Sequence, residues 1–295
     1  MQSTHLPPEK HKLLAPLLEQ LAQVSGIKAI VLGGSFARSR ARDDSDIDLG
    51  LLYADAAPFE ISQIRTIAQR FNDTDAPVVS SLYEWRPWVN GGAWLTIRGQ
   101  RVDLLYRSID HFNQVITEAH SGRYEVHYGQ QPPFGFFSGT YLGEVAVCEP
   151  LHDPNEVVPA LKARVSEYPG ALRHNVIQHF LWSAEFNISA FAPKFAARGD
   201  LHGTLSCLTR AVHEMSMALF ALNQRWYLND KTALEEIETF TARPMSYWFR
   251  VDEVFSNLSS SSTELTEAVE LTAQLLRETI RIAGSAYQSR YVVPK

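Results

Sequence analysis

The chain has 295 residues, of which 45% are hydrophobic and 20% charged, the balance of an ordinary globular protein of about two domains. Its net charge is −6, and no basic cluster stands out beyond Arg38, Arg40 and Arg42, which argues against a polynucleotide partner, because such proteins carry a basic stripe. No apolar stretch approaches the ~18 residues of a membrane span, and the opening MQSTHLPPEKHKLL lacks the apolar core of a signal peptide.

Pro7 to Val24 predicts a helix with Leu13, Leu14, Leu17, Leu18 and Leu21 on one face. Pro16 either bends it or sets its true start. Ile27 to Leu32 (IKAIVL) is a short β-branched run and predicts a buried strand. Gly33 and Gly34 follow, a turn that can take positive φ and let a ligand approach the backbone. Ser35 is expected to cap a short helix whose N-terminus attracts anions. There is no Gly-Lys-Ser/Thr and no G-x-G-x-x-G here, so neither a P-loop nor a dinucleotide fold is supported.

Asp46 to Tyr53 (DIDLGLLY) predicts a second strand. Asp46 and Asp48 then share one face while Ile47 and Leu49 face the core. Carboxylates two residues apart on a strand are about 6.6 Å from each other. At an effective dielectric near 20 they repel by roughly 2.5 kcal/mol. A hard cation that takes carboxylate and phosphate oxygens neutralises such a pair directly. Asp43 and Asp44 read as a solvated turn.

Pro58 to Asn72 predicts a helix opened by its proline, and Val78 to Trp85 a strand. Ala93 to Arg98 and Arg101 to Tyr106 predict a β-hairpin around Gly99-Gln100. Asp103 lies inside its second strand, where a lone aspartate is unfavourable. A metal would account for it, and so would an ion pair with Arg98 or Arg101. Ser108 to Ser121 predicts a helix capped by Ser108. Gly122 to Gly143 is rich in glycine and aromatics and is expected to link two halves or line a cleft. Glu125, His127 and Tyr128 within it, and Glu84 upstream, are candidates for contacting an acceptor. From Pro154 the pattern is helical, with helices from Tyr168-Pro169, from Asp200 to about Tyr227 and from Thr263 to Ser285. Cys148 and Cys207 have no metal spacing and fit reduced thiols in a cytoplasmic protein, with a disulfide as the alternative. His174, His179 and His213 read as packing or surface residues.

The Gly34-Ser35 turn, the D-x-D of Asp46 and Asp48 some ten residues on, and Asp103 on a later strand resemble the DNA polymerase β-like nucleotidyltransferase superfamily. The match covers roughly residues 25–107, and the part after about 150 looks more loosely like the helical half of bacterial aminoglycoside-type relatives. The resemblance implies an α+β fold: a mixed sheet flanked by helices, followed by a C-terminal helical bundle. We expect residues 1–121 to form the catalytic domain, 122–153 a connection lining a cleft, and 154–295 the bundle.

The resemblance further implies two Mg2+ ions held by Asp46, Asp48 and Asp103, and ATP as co-substrate. Gly33, Gly34 and Ser35 would hold the phosphates, with Arg38, Arg42 and Lys231 as candidates to neutralise them. Asp103 would help deprotonate an acceptor hydroxyl. A small antibiotic-like acceptor is the leading expectation. The alternatives are transfer to a protein or tRNA, and a nucleotide-binding regulator without turnover.

Overall fold

The IKAIVL run does form a buried strand, and the glycines after it turn the chain back beneath the next one. The computed structural model describes residues 5–85, 88–256 and 258–291. Residues 1–4, part of the segment searched above for a signal peptide, lie outside them.

The chain divides into two compact units. The first takes residues up to 118, 125–130 and 135–167. In chain order it contains α1 (Pro8–Leu21), β1 (Ile27–Leu32), α2 (Gly34–Ala37), β2 (Ile47–Tyr53), α3 (Ile61–Phe71), β3 (Val78–Val79), β4 (Gly92–Ile97), β5 (Gln100–Ser108) and the body of α4 (Ile109–His120). A small two-stranded ladder of β6 (Val126–His127) and β7 (Phe136–Phe137) follows, then α5 (Thr140–Val147), β8 (Glu149–His152) and α6 (Val157–Arg164).

Six strands make one mixed sheet in the order β3-β4-β5-β2-β1-β8. Only β2 and β5 run parallel; the other neighbours are antiparallel. One face of the sheet presents Ile47, Leu49, Leu51, Leu95, Ile97, Val102 and Leu104 to a core shared with Leu14, Leu17 and Leu21 of α1 and Ile64 of α3. The alternating residues of β2 and β5, Asp48 and Asp103 among them, therefore face the other way.

Several boundaries move. The first helix runs straight through Pro16. A proline inside a helix costs about 3 kcal/mol, whereas burying each of the three leucines returns about 2 kcal/mol, so packing outweighs the missing N–H. The third helix starts at Ile61, so Pro58 lies outside it. The predicted strand over Val78 to Trp85 is only Val78–Val79, because Tyr83 turns to φ +60. The hairpin turns at Arg98-Gly99, both at positive φ, with Ile97 opposite Gln100, rather than at Gly99-Gln100. Ser108 does cap the fourth helix, accepting from the His111 N–H at 3.0 Å.

The second unit takes residues 119–124, 131–134 and everything from 168. It is helical: α7 (Gly170–Phe186) leads through a π turn at Asn187–Phe191 into α8 (Ala192–Ala196), then come α9 (Leu201–Leu222), α10 (Ala233–Ile237), α11 (Tyr247–Ser256) and α12 (Ser262–Ala283). The buried faces of α7 and α12 pack on α9. The third of these, α9, ends at Leu222, five residues short of the Tyr227 expected from sequence. Its start is fixed by Asp200, whose Oδ1 accepts from the Gly203 N–H at 2.9 Å. Among the described residues no helix is long and apolar enough to cross a membrane. The cysteines are buried free thiols.

The cap gives a direct test of the bundle. Asp200→Ala should lower the unfolding free energy by about 1 kcal/mol, read as a shift in urea midpoint at constant slope.

Candidate active site

The chemistry-bearing face is organised by one line across the sheet. Asp48 on β2 is the register partner of Asp103 on β5, and Asp103 is the partner of Trp94 on β4. On the other side of Asp48, its carbonyl accepts from the Gly33 N–H at 2.8 Å. Gly33, Asp48, Asp103 and Trp94 thus stand side by side on four neighbouring strands or strand ends. Asp46 lies just before β2 and is half-buried.

Gly34 is indispensable here for two reasons. Its φ is +59, a left-handed conformation that favours glycine. A Cβ at this position would also lie 1.7 Å from Asp48 Oδ2. The turn therefore runs directly beneath the Asp48 carboxylate. Ser35 falls inside the first turn of α2 rather than at its cap, which is Gly33 and makes no side-chain bond. The capping role expected of Ser35 is thus corrected, because the helix begins one residue earlier than the serine.

The carboxylates carry the mark of crowding. Burial, then Asp103, Asp46 and Glu144, push Asp48 up to about 6, with Arg107 acting the other way. Asp103 is also raised, first by burial and then by Asp46, while Arg101 and a hydrogen bond from Trp94 oppose the shift. Arg101 lies 2.5 Å from Asp46, so the arginine weighed as a partner for Asp103 pairs with its neighbour instead. Asp46 Oδ1 is buried, and Arg101 Nε approaches it as an ion pair. Among the described residues no three acidic, imidazole or thiol groups close on one point at metal-binding distance.

The donor set nevertheless fits a hard divalent cation. All three side chains are carboxylates, and burial together with neighbouring carboxylates raises Asp48 and Asp103. Arg101 is well exposed, and an exposed ion pair is worth no more than about 1 kcal/mol. It is a counter-ion that a cation can displace.

Two groups on this face escaped the sequence reading. Arg107 on β5 is buried and bidentate to Glu144 of α5, at 2.9 and 3.0 Å. Trp94 packs against Trp85 with ring centroids 4.5 Å apart and the rings tilted by 31°. The first needed the position of α5. The second was within reach: counting outward from the correct hairpin turn puts Trp94 opposite Asp103.

The remaining candidates are scattered. Arg38 is half-buried just after α2, and Arg42 is exposed in the loop before Asp46. Glu84 is exposed and accepts from the Ser81 N–H at 2.7 Å. Glu125 is exposed, its N–H bonded to Ser138 Oγ at 3.0 Å. His127 sits half-buried on β6, its Nδ1 without a partner. Lys231 is exposed in a 3-10 turn, Asp230–Thr232, of the helical unit. There His213 stacks on Phe134 at 4.1 Å, and burial and Arg210 push it down to about 4.

The α+β unit thus brings Asp48 and Asp103 together beside a left-handed glycine turn. Residues 14–124 match the nucleotidyltransferase domain family. This part of the chain matches a nucleotidyltransferase domain, consistent with the DNA polymerase β-like superfamily, and the match supports nucleotidyl transfer in general. Residues 137–231 match a domain of unknown function, DUF4037. No curated protein matches the chain in sequence.

Similar solved structures include a nucleotidyltransferase-like protein from Exiguobacterium sibiricum, 10% identical over 94% of this chain and 78% of that one, with a TM-score of 0.45. Another is an aminoglycoside 6-adenyltransferase from Bacillus subtilis, 11% identical over 96% and 94%, with a TM-score of 0.35.

The crowding predicts a pH signature. The folded protein holds the Asp48 proton up to about pH 6, against 3.8 ordinarily. The contribution of this group to stability is therefore fully present below about pH 4 and is lost as pH rises to about 6, on the order of 3 kcal/mol. In metal-free buffer, Asp48→Asn should flatten that part of the curve of Tm against pH and be the more stable protein at pH 7.

Proposed function

We propose that the protein transfers AMP from ATP, with Mg2+, to a hydroxyl of a small molecule and releases pyrophosphate. The observation that carries this reading is the register of Asp48 with Asp103 beside the Gly34 turn. It sets two carboxylates next to a backbone that a phosphate can approach.

In this reading the Gly33-Gly34-Ser35 backbone holds the β- and γ-phosphates, since the first N–H groups of a helix have no intrahelical acceptor. Asp46, Asp48 and Asp103 would hold the metal. When bound, Mg2+ supplies charge neutralisation at the attacking and leaving oxygens. The exposed Arg101 would have to release Asp46 for that carboxylate to serve as a ligand. Asp103 takes the proton of the acceptor hydroxyl, a role that its raised pKa suits. The hydroxyl oxygen bonds to the α-phosphorus as the bond from that phosphorus to the α–β bridging oxygen breaks. Pyrophosphate leaves with that oxygen, and the acceptor keeps the AMP. The adenine preference and the small-molecule acceptor rest on the family resemblance and on the acidic net charge.

Turnover should appear as Mg2+-dependent pyrophosphate release from ATP in the presence of hydroxylated antibiotics such as kanamycin or lincomycin. Asp48→Asn and Asp103→Asn should each lower that rate on the order of a thousandfold while leaving the circular dichroism spectrum unchanged. ATP with Mg2+ should also raise Tm, and ATP with EDTA should not. Normal turnover by Asp48→Asn would remove the site assignment.

A further inference from the structure

The line of residues across the sheet does not stop at Asp103. It continues through Trp94 on β4 to Val78 on β3 at the sheet edge. Val78 is 61% exposed and Trp85, packed at a tilt against Trp94, is 36% exposed. Large apolar side chains exposed beside a carboxylate centre call for an explanation.

The indole pair is held in place. Trp94 lies over Gly92, where a Cβ would come within 3.2 Å of its six-membered ring. Its side chain also hydrogen-bonds Asp103. Trp85 lies in a turn with Tyr83, which is held at φ +60, a costly conformation for a bulky residue. The Tyr83 hydroxyl is bonded to Asp55. Gln130 spans the segment, donating to the Trp85 carbonyl and accepting from the Trp88 N–H. Strain of this kind, fixed by surrounding bonds, is more often found where a ligand is met than in an idle surface loop.

The direction of the reaction says which ligand. Displacement at a phosphoryl group places the entering and leaving oxygens roughly in line, on opposite sides of phosphorus. Taking the proposed function as given, pyrophosphate lies at the Gly33-Gly34 end of the line. The acceptor then enters from the opposite end, past Asp103, which is the side of Trp94, Trp85 and Val78. Indole faces bind the C–H face of a ring and reject a bare, strongly hydrated polyol chain.

We propose that Trp85 and Trp94 form the acceptor platform: a hydroxylated ring compound stacks on Trp85 and presents its hydroxyl to Asp103. Neither the nucleobase nor the triphosphate uses this pair. Trp85 is a binding residue, and Trp94 positions both Trp85 and Asp103.

The test is calorimetric titration of the full chain with Mg2+ and a non-hydrolysable ATP analogue present, using kanamycin, lincomycin and methyl glucoside as ring probes and glycerol and ethanolamine as acyclic ones. At least one ring probe should bind and the acyclic probes should not. Trp85→Ala should weaken the best ring probe by roughly tenfold, Trp85→Phe should restore most of it, and the affinity for the ATP analogue should stay within about twofold. A loss of analogue affinity in Trp85→Ala would assign the pair to the nucleobase and overturn the proposal. So would unchanged ring binding in that variant, or no binding by any ring probe. Pyrophosphate release that survives Asp48→Asn would instead defeat the underlying catalytic reading, which these titrations do not measure.

Discussion

The parallel pairing of β2 with β5 is the constraint on which the rest depends. It sets Asp48 beside Asp103 at the strand spacing of about 4.8 Å, where two ionised carboxylates would repel by roughly 3 kcal/mol at an effective dielectric of 20. The same two strands bury Ile47, Leu49, Leu51, Val102 and Leu104 on their opposite face. Each such side chain is worth about 2 kcal/mol, so the apolar face decides the register and the polar face has to accept it. Alternation along a strand turns a core requirement into the geometry of the candidate site.

The charges around that pair differ in kind. Arg101 is exposed and meets Asp46 across an open ion pair, so removing it costs little and a cation can take its place. Arg107 is buried and bound at both ends of its guanidinium to Glu144, with its charge 5.5 Å from the Tyr141 ring. Breaking such a pair strands a buried charge and is strongly unfavourable. Arg107 and Glu144 act in opposite senses on Asp48, so together they set a fixed background. The variable part of the charge balance is left to Arg101 and to whatever cation enters.

The legible parts of the sequence were those governed by local chemistry. A β-branched run ending in Gly33-Gly34, the alternation of Asp46 to Tyr53 and the Asp200 cap each depend on neighbours within a few residues, and each is present in the structure. The misplaced parts depend on partners far along the chain. Strand β8 pairs with β1 from more than a hundred residues away, and nothing local marks EPLH as a strand. The hairpin error is instructive. Turning at Gly99-Gln100 would set Thr96 opposite Asp103, whereas the actual turn at Arg98-Gly99 sets Trp94 there. A shift of two residues keeps every side chain on its face. The face of Asp103 was therefore read correctly, while the indole that bonds it went unseen. Arg98 at φ +51 is the reason: a left-handed arginine is not the residue such a turn usually selects.

The position of each group in the sheet bears on what can vary. Asp48 and Asp103 sit on the two central strands, locked by the core beneath them. The Gly34 turn is locked as well, since any side chain there would strike Asp48. Val78 and Trp85 lie at the edge, on a two-residue strand and the turn after it, where substitutions disturb few buried contacts. A fold arranged this way can keep its phosphoryl chemistry constant while its outer rim changes. If specificity for the acceptor of the proposed reaction resides at that rim, then chains with the same glycine turn and the same three aspartates should differ first at the positions of Val78 and Trp85.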